Sequence, residues 1–141
     1  MRPVVLLCLL AAPLLAEPVL AEPVVAEPVL AEDAVPVPSG QPVTFLDAIL
    51  NEAGPEGQTA RFRFVAPAIA QEVDFDTAVA DMQHLCEKFA LPRVLGTGPL
   101  PQQIVISLSA APVVFGEPVP DVTQFFEAYS LEDGACIWEV F

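Results

Sequence analysis

The chain has 141 residues, with 19 Asp and Glu against five Lys and Arg, for a formal net charge of −14. Such a surface repels phosphate backbones and anionic lipid, which argues against nucleic acid as a partner and against adsorption to anionic lipid. One histidine and three cysteines leave little material for metal or thiol chemistry.

Met1-Arg2-Pro3 is a short, weakly basic start, and Val4 to Leu15 is an almost unbroken apolar run. That run is too short for a bilayer core, which takes about 20 residues. A basic start, a short apolar stretch and small residues after it describe a secretory signal peptide over residues 1–16. The expected location is periplasmic or secreted, with no stable membrane insertion once the signal is removed. Cleavage after Ala16 has Leu14 three residues back, whereas Ala21 and Ala26 each end a Val-x-Ala triplet.

Residues 16–35 read AEPVL AEPVV AEPVL AEDAV. Proline every fifth residue removes backbone donors and blocks helix, leaving polyproline II or coil. The repeat therefore predicts a disordered tail over 17–40, closed by Pro36, Pro38, Ser39 and Gly40, with a folded domain over 41–141. Such a tail is either a spacer or a repeat expansion tolerated in an unfolded stretch.

Val43 to Glu52 fits two patterns: a helix capped by Thr44, or a strand alternating Val43, Phe45, Asp47 and Ile49. Arg61-Phe62-Arg63-Phe64-Val65 alternates with period two and predicts a strand. The turn Gly54-Pro55-Glu56-Gly57 between them makes a hairpin the better reading. Asp76-Thr77 predicts a helix start, and Val79, Met82, Cys86 and Phe89 line one face of a helix to about Ala90. Asp81, His84, Glu87 and Lys88 fall on the other faces, and Pro92 predicts the end. Gln103 to Leu108 predicts a strand, and Val113-Val114-Phe115 a short one. Asp133-Gly134 is a two-residue hairpin signal. It sets Leu131 opposite Cys136 and Tyr129 opposite Trp138.

Cys8 leaves with the signal. Cys86 and Cys136 remain, and an even count in an exported protein implies a disulfide. Closing a loop of this size is worth roughly 4 kcal/mol. The alternative is two free buried thiols. The remaining chemistry is sparse. Glu72, Asp74, Asp76 and Asp81 cluster, but no glycine lies between Gly57 and Gly96 to turn a calcium loop; helix capping explains Asp74 and Asp76. No metal and no cofactor is expected. His84 and Cys86 are two apart on a helix and point to different faces, so they are no nucleophile–base pair. Gly96-x-Gly98 lacks a dinucleotide fingerprint, and Ser107 and Ser109 lack a nucleophile-elbow context. Arg61 and Arg63 share one strand face. They form either a small-anion site or cross-strand pairs with acids.

RFRFVAPAI (61–69), DMQHLCEKFALP (81–92), IVISL (104–108) and FFEAYSLEDGACIWEVF (125–141) together resemble a family of small, uncharacterised exported bacterial proteins. The resemblance spans about residues 40–141 and leaves out the repeat. Some members carry an automatic acetolactate synthase label. A thiamine-diphosphate enzyme needs a far longer chain and a Gly-Asp-Gly motif, and neither is present. The resemblance implies export and the Cys86–Cys136 pair, and carries over no catalytic residue. The expectation is an α+β domain: one helix packed on an antiparallel sheet of four to six strands, with a C-terminal β-hairpin and one disulfide. The expected function is a non-catalytic binding or envelope-associated module, with an unknown protein or a small anionic ligand as partner. The alternative is a small enzyme or enzyme accessory subunit.

Overall fold

The computed structural model describes residues 33–140 apart from 55, 56 and 97. The expected signal peptide over 1–16 and repeat residues 17–32 lie outside the described residues, as do Pro55-Glu56 of the first turn.

Five strands form one sheet in the order of the chain: β1 (Thr44–Gly54), β2 (Gly57–Val65), β3 (Gln103–Ser109), β4 (Gln124–Glu132) and β5 (Ala135–Glu139). The segment open to two readings is thus a strand, hairpin-paired with β2. Every neighbouring pair is antiparallel except β2 and β3, which run parallel. The helical segment lies between those two strands, and parallel neighbours require such a crossover. The sheet is therefore mixed. Val113–Phe115, expected as a short strand, is part of the loop between β3 and β4.

Period two does the sorting. Phe62 and Phe64 on β2, Ile104, Ile106 and Leu108 on β3, and Tyr129 on β4 are buried on the helix side. Phe45 of β1 packs there too, with its ring centroid 4.8 Å from that of Phe89 on the helix.

The helix α1 (Phe75–Leu85) begins at Asp74, whose Oδ1 accepts from Thr77 N–H at 2.8 Å. That bond holds the Asp74 carboxyl below its ordinary pKa. Pro92 does not end the helix. A π turn over Cys86–Ala90, with Leu91 N–H donating to the Cys86 carbonyl, leads into α2 (Leu91–Leu95). Pro92 then falls in the first turn of α2, where a missing N–H costs little. The inserted residue also rotates the apolar stripe, so that Ala90, Leu91 and Val94 continue the buried face of Ala78, Met82, Leu85 and Cys86.

Asp81, expected on a polar face, is fully buried. It accepts from Ser39 N–H at 3.0 Å, Ser39 Oγ at 2.5 Å and Gln41 Nε2 at 2.6 Å. A buried carboxylate is tolerable only with such donors. They come from the segment ahead of β1, which crosses over α1. Packing thus begins before Gln41: Val37 is in the core, Val35 packs against it, and Ala34 bridges Thr44.

The last hairpin turns at Asp133 and Gly134, both with positive φ (50° and 75°). Leu131 lies opposite Cys136, and Tyr129 opposite Trp138. Cys136 is bonded to Cys86, with Cα atoms 6.3 Å apart. The bridge ties the π turn to β5, and Gln83 Nε2 donates to the Cys136 carbonyl at 2.9 Å beside it.

Two outcomes follow. Cys86→Ser and Cys136→Ser should each cost about 2–5 kcal/mol, and the double variant should be no worse than either, because the same bond is lost. Thiol titration of the denatured, unreduced chain from residue 17 should find none; two thiols would refute the bridge. Tyr129, the one tyrosine, has a hydroxyl with no partner among the described residues. Burial, and then the charges of Glu127 and Glu87, push its pKa up. Stability from the neutral phenol is complete below about pH 10, the unfolded value. It is lost as the pH rises from there through the folded value. Phenolate absorbance should therefore stay flat past pH 10 and rise only with unfolding. A rise near pH 10 with the native circular dichroism intact would contradict this.

Candidate functional site

The sheet face away from the helix holds a cleft of about 280 Å³. Its floor is Arg61 and Arg63 of β2, Ser107 and Ser109 of β3, and Gln124 and Phe126 of β4. Residues 113–119 of the β3–β4 loop form its roof. Ala110 N–H donates to the Thr123 carbonyl at 2.9 Å and closes the base of that loop.

Arg63 is 6% exposed. Its Nη1 donates to Asp47 Oδ2 at 2.8 Å, and its Nη2 donates to the Val113 carbonyl. Arg61 Nε donates to Glu52 Oε2 at 3.1 Å. The Phe115 ring centroid lies 5.4 Å from the Arg61 guanidinium carbon and 5.7 Å from that of Arg63, within cation–π range. Phe115 is itself 47% exposed, so the roof is half wet.

Two irregularities in β1 put the carboxylates there. Phe45 pairs with Phe64, but Asp47 rather than Leu46 pairs with Arg63. One extra residue carries Asp47 to the arginine face. A second shift, between Ile49 and Glu52, sets Glu52 opposite Thr59 on the same face. Asn51, at φ 62°, takes the left-handed conformation inside this shift, which asparagine tolerates better than most residues. Bulges of this kind re-aim side chains. Both arginines are paired with acids as a result, and a bare inorganic anion would gain little from them. What remains is directional: among the described residues, Arg61 makes hydrogen bonds through Nε alone.

The other residues singled out by sequence disperse. Cys86 and Cys136 are consumed by the bridge. His84 is half-buried and lines a groove of about 340 Å³ with Val35, Pro36, Lys88 and Phe89, on the helix side of the sheet. Arg93 borders that groove, its guanidinium carbon 3.4 Å from the Phe89 ring centroid. Glu72 and Asp76 are exposed, Asp74 caps α1, and Asp81 anchors the segment before β1. Among the described residues no His, Cys, Asp and Glu group is placed to hold a metal ion, and no helix is long and apolar enough to cross a membrane.

Sequence reasoning found the arginine pair but missed Asp47, Glu52, Phe115 and Gln124. Ser107 and Ser109, unremarkable in sequence, reach the cleft floor because β3 pairs in parallel with β2, setting Ser107 opposite Arg63. No local pattern in the chain encodes that pairing.

No curated protein and no solved structure matches the chain. Residues 17–141 match a family of unknown function, DUF6497. The match starts directly after Ala16, at the expected end of the signal, and takes in the repeat that the resemblance left out. The chain belongs to the DUF6497 family, whose function is unknown.

Proposed function

We propose that this protein is an exported, non-catalytic binding module whose site is the cleft beneath residues 113–119. Its ligand is a small organic molecule with a carboxylate and an apolar part. One observation carries the reading. Arg61 lines the cleft with only Nε engaged, by Glu52, beside the Phe115 ring, and Phe126 lines the same cleft. A carboxylate pairs with the free edge of a guanidinium through two parallel hydrogen bonds, and an aromatic wall adds apolar contact. Asp47 and Glu52 hold the guanidinium groups in place, so little ordering remains when a ligand arrives. Export is supported by the leader-like residues 1–16 and by a disulfide, which persists in oxidising compartments. Against a small enzyme stands the engagement of the nearest candidate bases: Asp47 and Glu52 are paired with the arginines, and the single histidine is on the other side of the sheet.

Benzoate, a minimal aromatic carboxylate, should raise the thermal midpoint of the protein, and neutral benzamide should not. Arg61→Gln should abolish the benzoate shift while the ligand-free protein stays folded, since the Arg61–Glu52 pair is partly exposed, with side chains 21% and 28% accessible, and its loss should cost on the order of 1 kcal/mol. Equal responses to benzoate in the wild type and in Arg61→Gln would sink the site. Intact-mass measurement on a periplasmic fraction should show a chain starting between Glu17 and Glu32; a mass retaining Met1 would end the export reading.

A further inference from the structure

β3 lies at the centre of the sheet, and every one of its residues is buried. Such a strand favours large and β-branched apolar side chains. Ile104, Ile106 and Leu108 on the helix side follow that rule, and so does Val105 on the cleft side, opposite Arg61. Ser107 and Ser109 break it. Each is 3% exposed and lines the cleft, and neither hydroxyl has a hydrogen-bond partner among the described residues. Buried side-chain polar groups are ordinarily paired, and departures from a local rule gather where a protein binds. Gln124 continues the pattern. It lies opposite Ser109 and lines the cleft, and its side-chain amide makes no hydrogen bond among the described residues.

The register sets these groups at a distance from the arginine. Arg61, Val105 and Ala128 form one row across the cleft face. Arg63, Ser107 and Phe126 form the next, and Ser109 and Gln124 share the row after that. Rows on one face are two residues apart, about 7 Å. The polar floor thus runs from about 7 Å to about 13 Å beyond the Arg61 row, with Phe126 between its far end and Arg61. Its groups are neutral and can both donate and accept. Glu117, the one acid among the cleft-lining residues, is exposed on the roof.

We infer that the ligand of the cleft is a carboxylic acid with a second, neutral polar group at its far end. The carboxylate lies on Arg61, an apolar middle lies on Phe126, and a hydroxyl at the far end hydrogen-bonds Ser109 and Gln124, with Ser107 beside it. The serines and Gln124 are then the specificity-determining residues. This rests on the carboxylate reading of the cleft and adds to it the requirement for a distal hydroxyl. A site that presents buried hydrogen-bonding groups discriminates against an analogue that leaves them unpaired.

The test uses the chain from residue 17 and two probes alike in shape and carboxylate, para-hydroxyphenylpropionate and para-methylphenylpropionate. Calorimetry should show the hydroxyl form binding about tenfold more tightly, the gain from one well-made hydrogen bond. Ser109→Ala with Gln124→Leu should erase that difference through weaker binding of the hydroxyl form. Ser109→Ala alone should shrink it, and should not lower the ligand-free midpoint, because the hydroxyl removed bonds nothing in the fold. Should the double variant fail to fold, the single one decides. Equal affinity of the wild type for the two probes, beside an Arg61-dependent benzoate shift, would overturn the inference and leave the carboxylate reading standing. A preference for the hydroxyl form that survives in the variants would overturn it too. Tighter binding of para-(aminomethyl)phenylpropionate would assign the far end to Glu117 instead. No benzoate shift and no binding of either probe would overturn both readings together.

Discussion

The alternation of β2 is the constraint on which the rest depends. Phe62 and Phe64 must face the helix, because the core is built on them. Period two then leaves no choice for Arg61 and Arg63, which emerge on the opposite face. Two guanidinium groups on one strand face repel each other and are costly to cover without counter-charge. The edge strand answers with two bulges, each delivering one acid, and the β3–β4 loop adds a backbone carbonyl and an aromatic ring. The cleft is a by-product of solving that electrostatic problem, and it inherits its polarity from the solution.

On the helix side the corresponding problem is attachment. α1 is short and amphipathic, and the π turn that follows it holds two anchors to the sheet, one aromatic and one covalent. Phe89 reaches Phe45 and Phe64, with ring centroids 4.8 and 5.2 Å apart. Cys86 reaches Cys136 on the far edge strand. The π turn carries both anchors and adjusts the phase of the helix, so that they and the residues after Pro92 face the sheet. Asp81 fixes the upper surface of α1 by holding the segment that leads into β1.

What could be read from the sequence is what local pattern encodes. The β2 strand, the helix, the final hairpin with its register and the cysteine pair all follow from spacing and turn chemistry, and each lies within a short window or is forced by count. The rest depends on distant partners. Asp81 looks like a surface acid because its donors, Ser39 and Gln41, are about 40 residues away in the chain. Pro92 looks like a helix end because the π turn that accommodates it has no sequence signature. The bulges of β1 break the very periodicity used to find strands, so Asp47 and Glu52 could not be assigned a face. The parallel pairing of β2 with β3 is invisible to any local rule. At the cleft, the arginines were legible and their surroundings were not.

The single parallel pairing has a consequence for how the chain reaches this structure. β1–β2 and β3–β4–β5 are each contiguous antiparallel ribbons, made of contacts close in sequence. Ribbons of that kind assemble early, because little loop entropy is lost in closing them. The β2–β3 seam joins residues about 44 apart, such as Thr59 and Gln103, with the helical segment in the connection between them. On loop-entropy grounds the β2–β3 seam is the pairing expected to form last, bringing Phe62, Phe64, Ile104 and Ile106 together at that step. Until then the inner edges of β2 and β3 are both unpaired and apolar, and this half-assembled state is the one most exposed to aggregation.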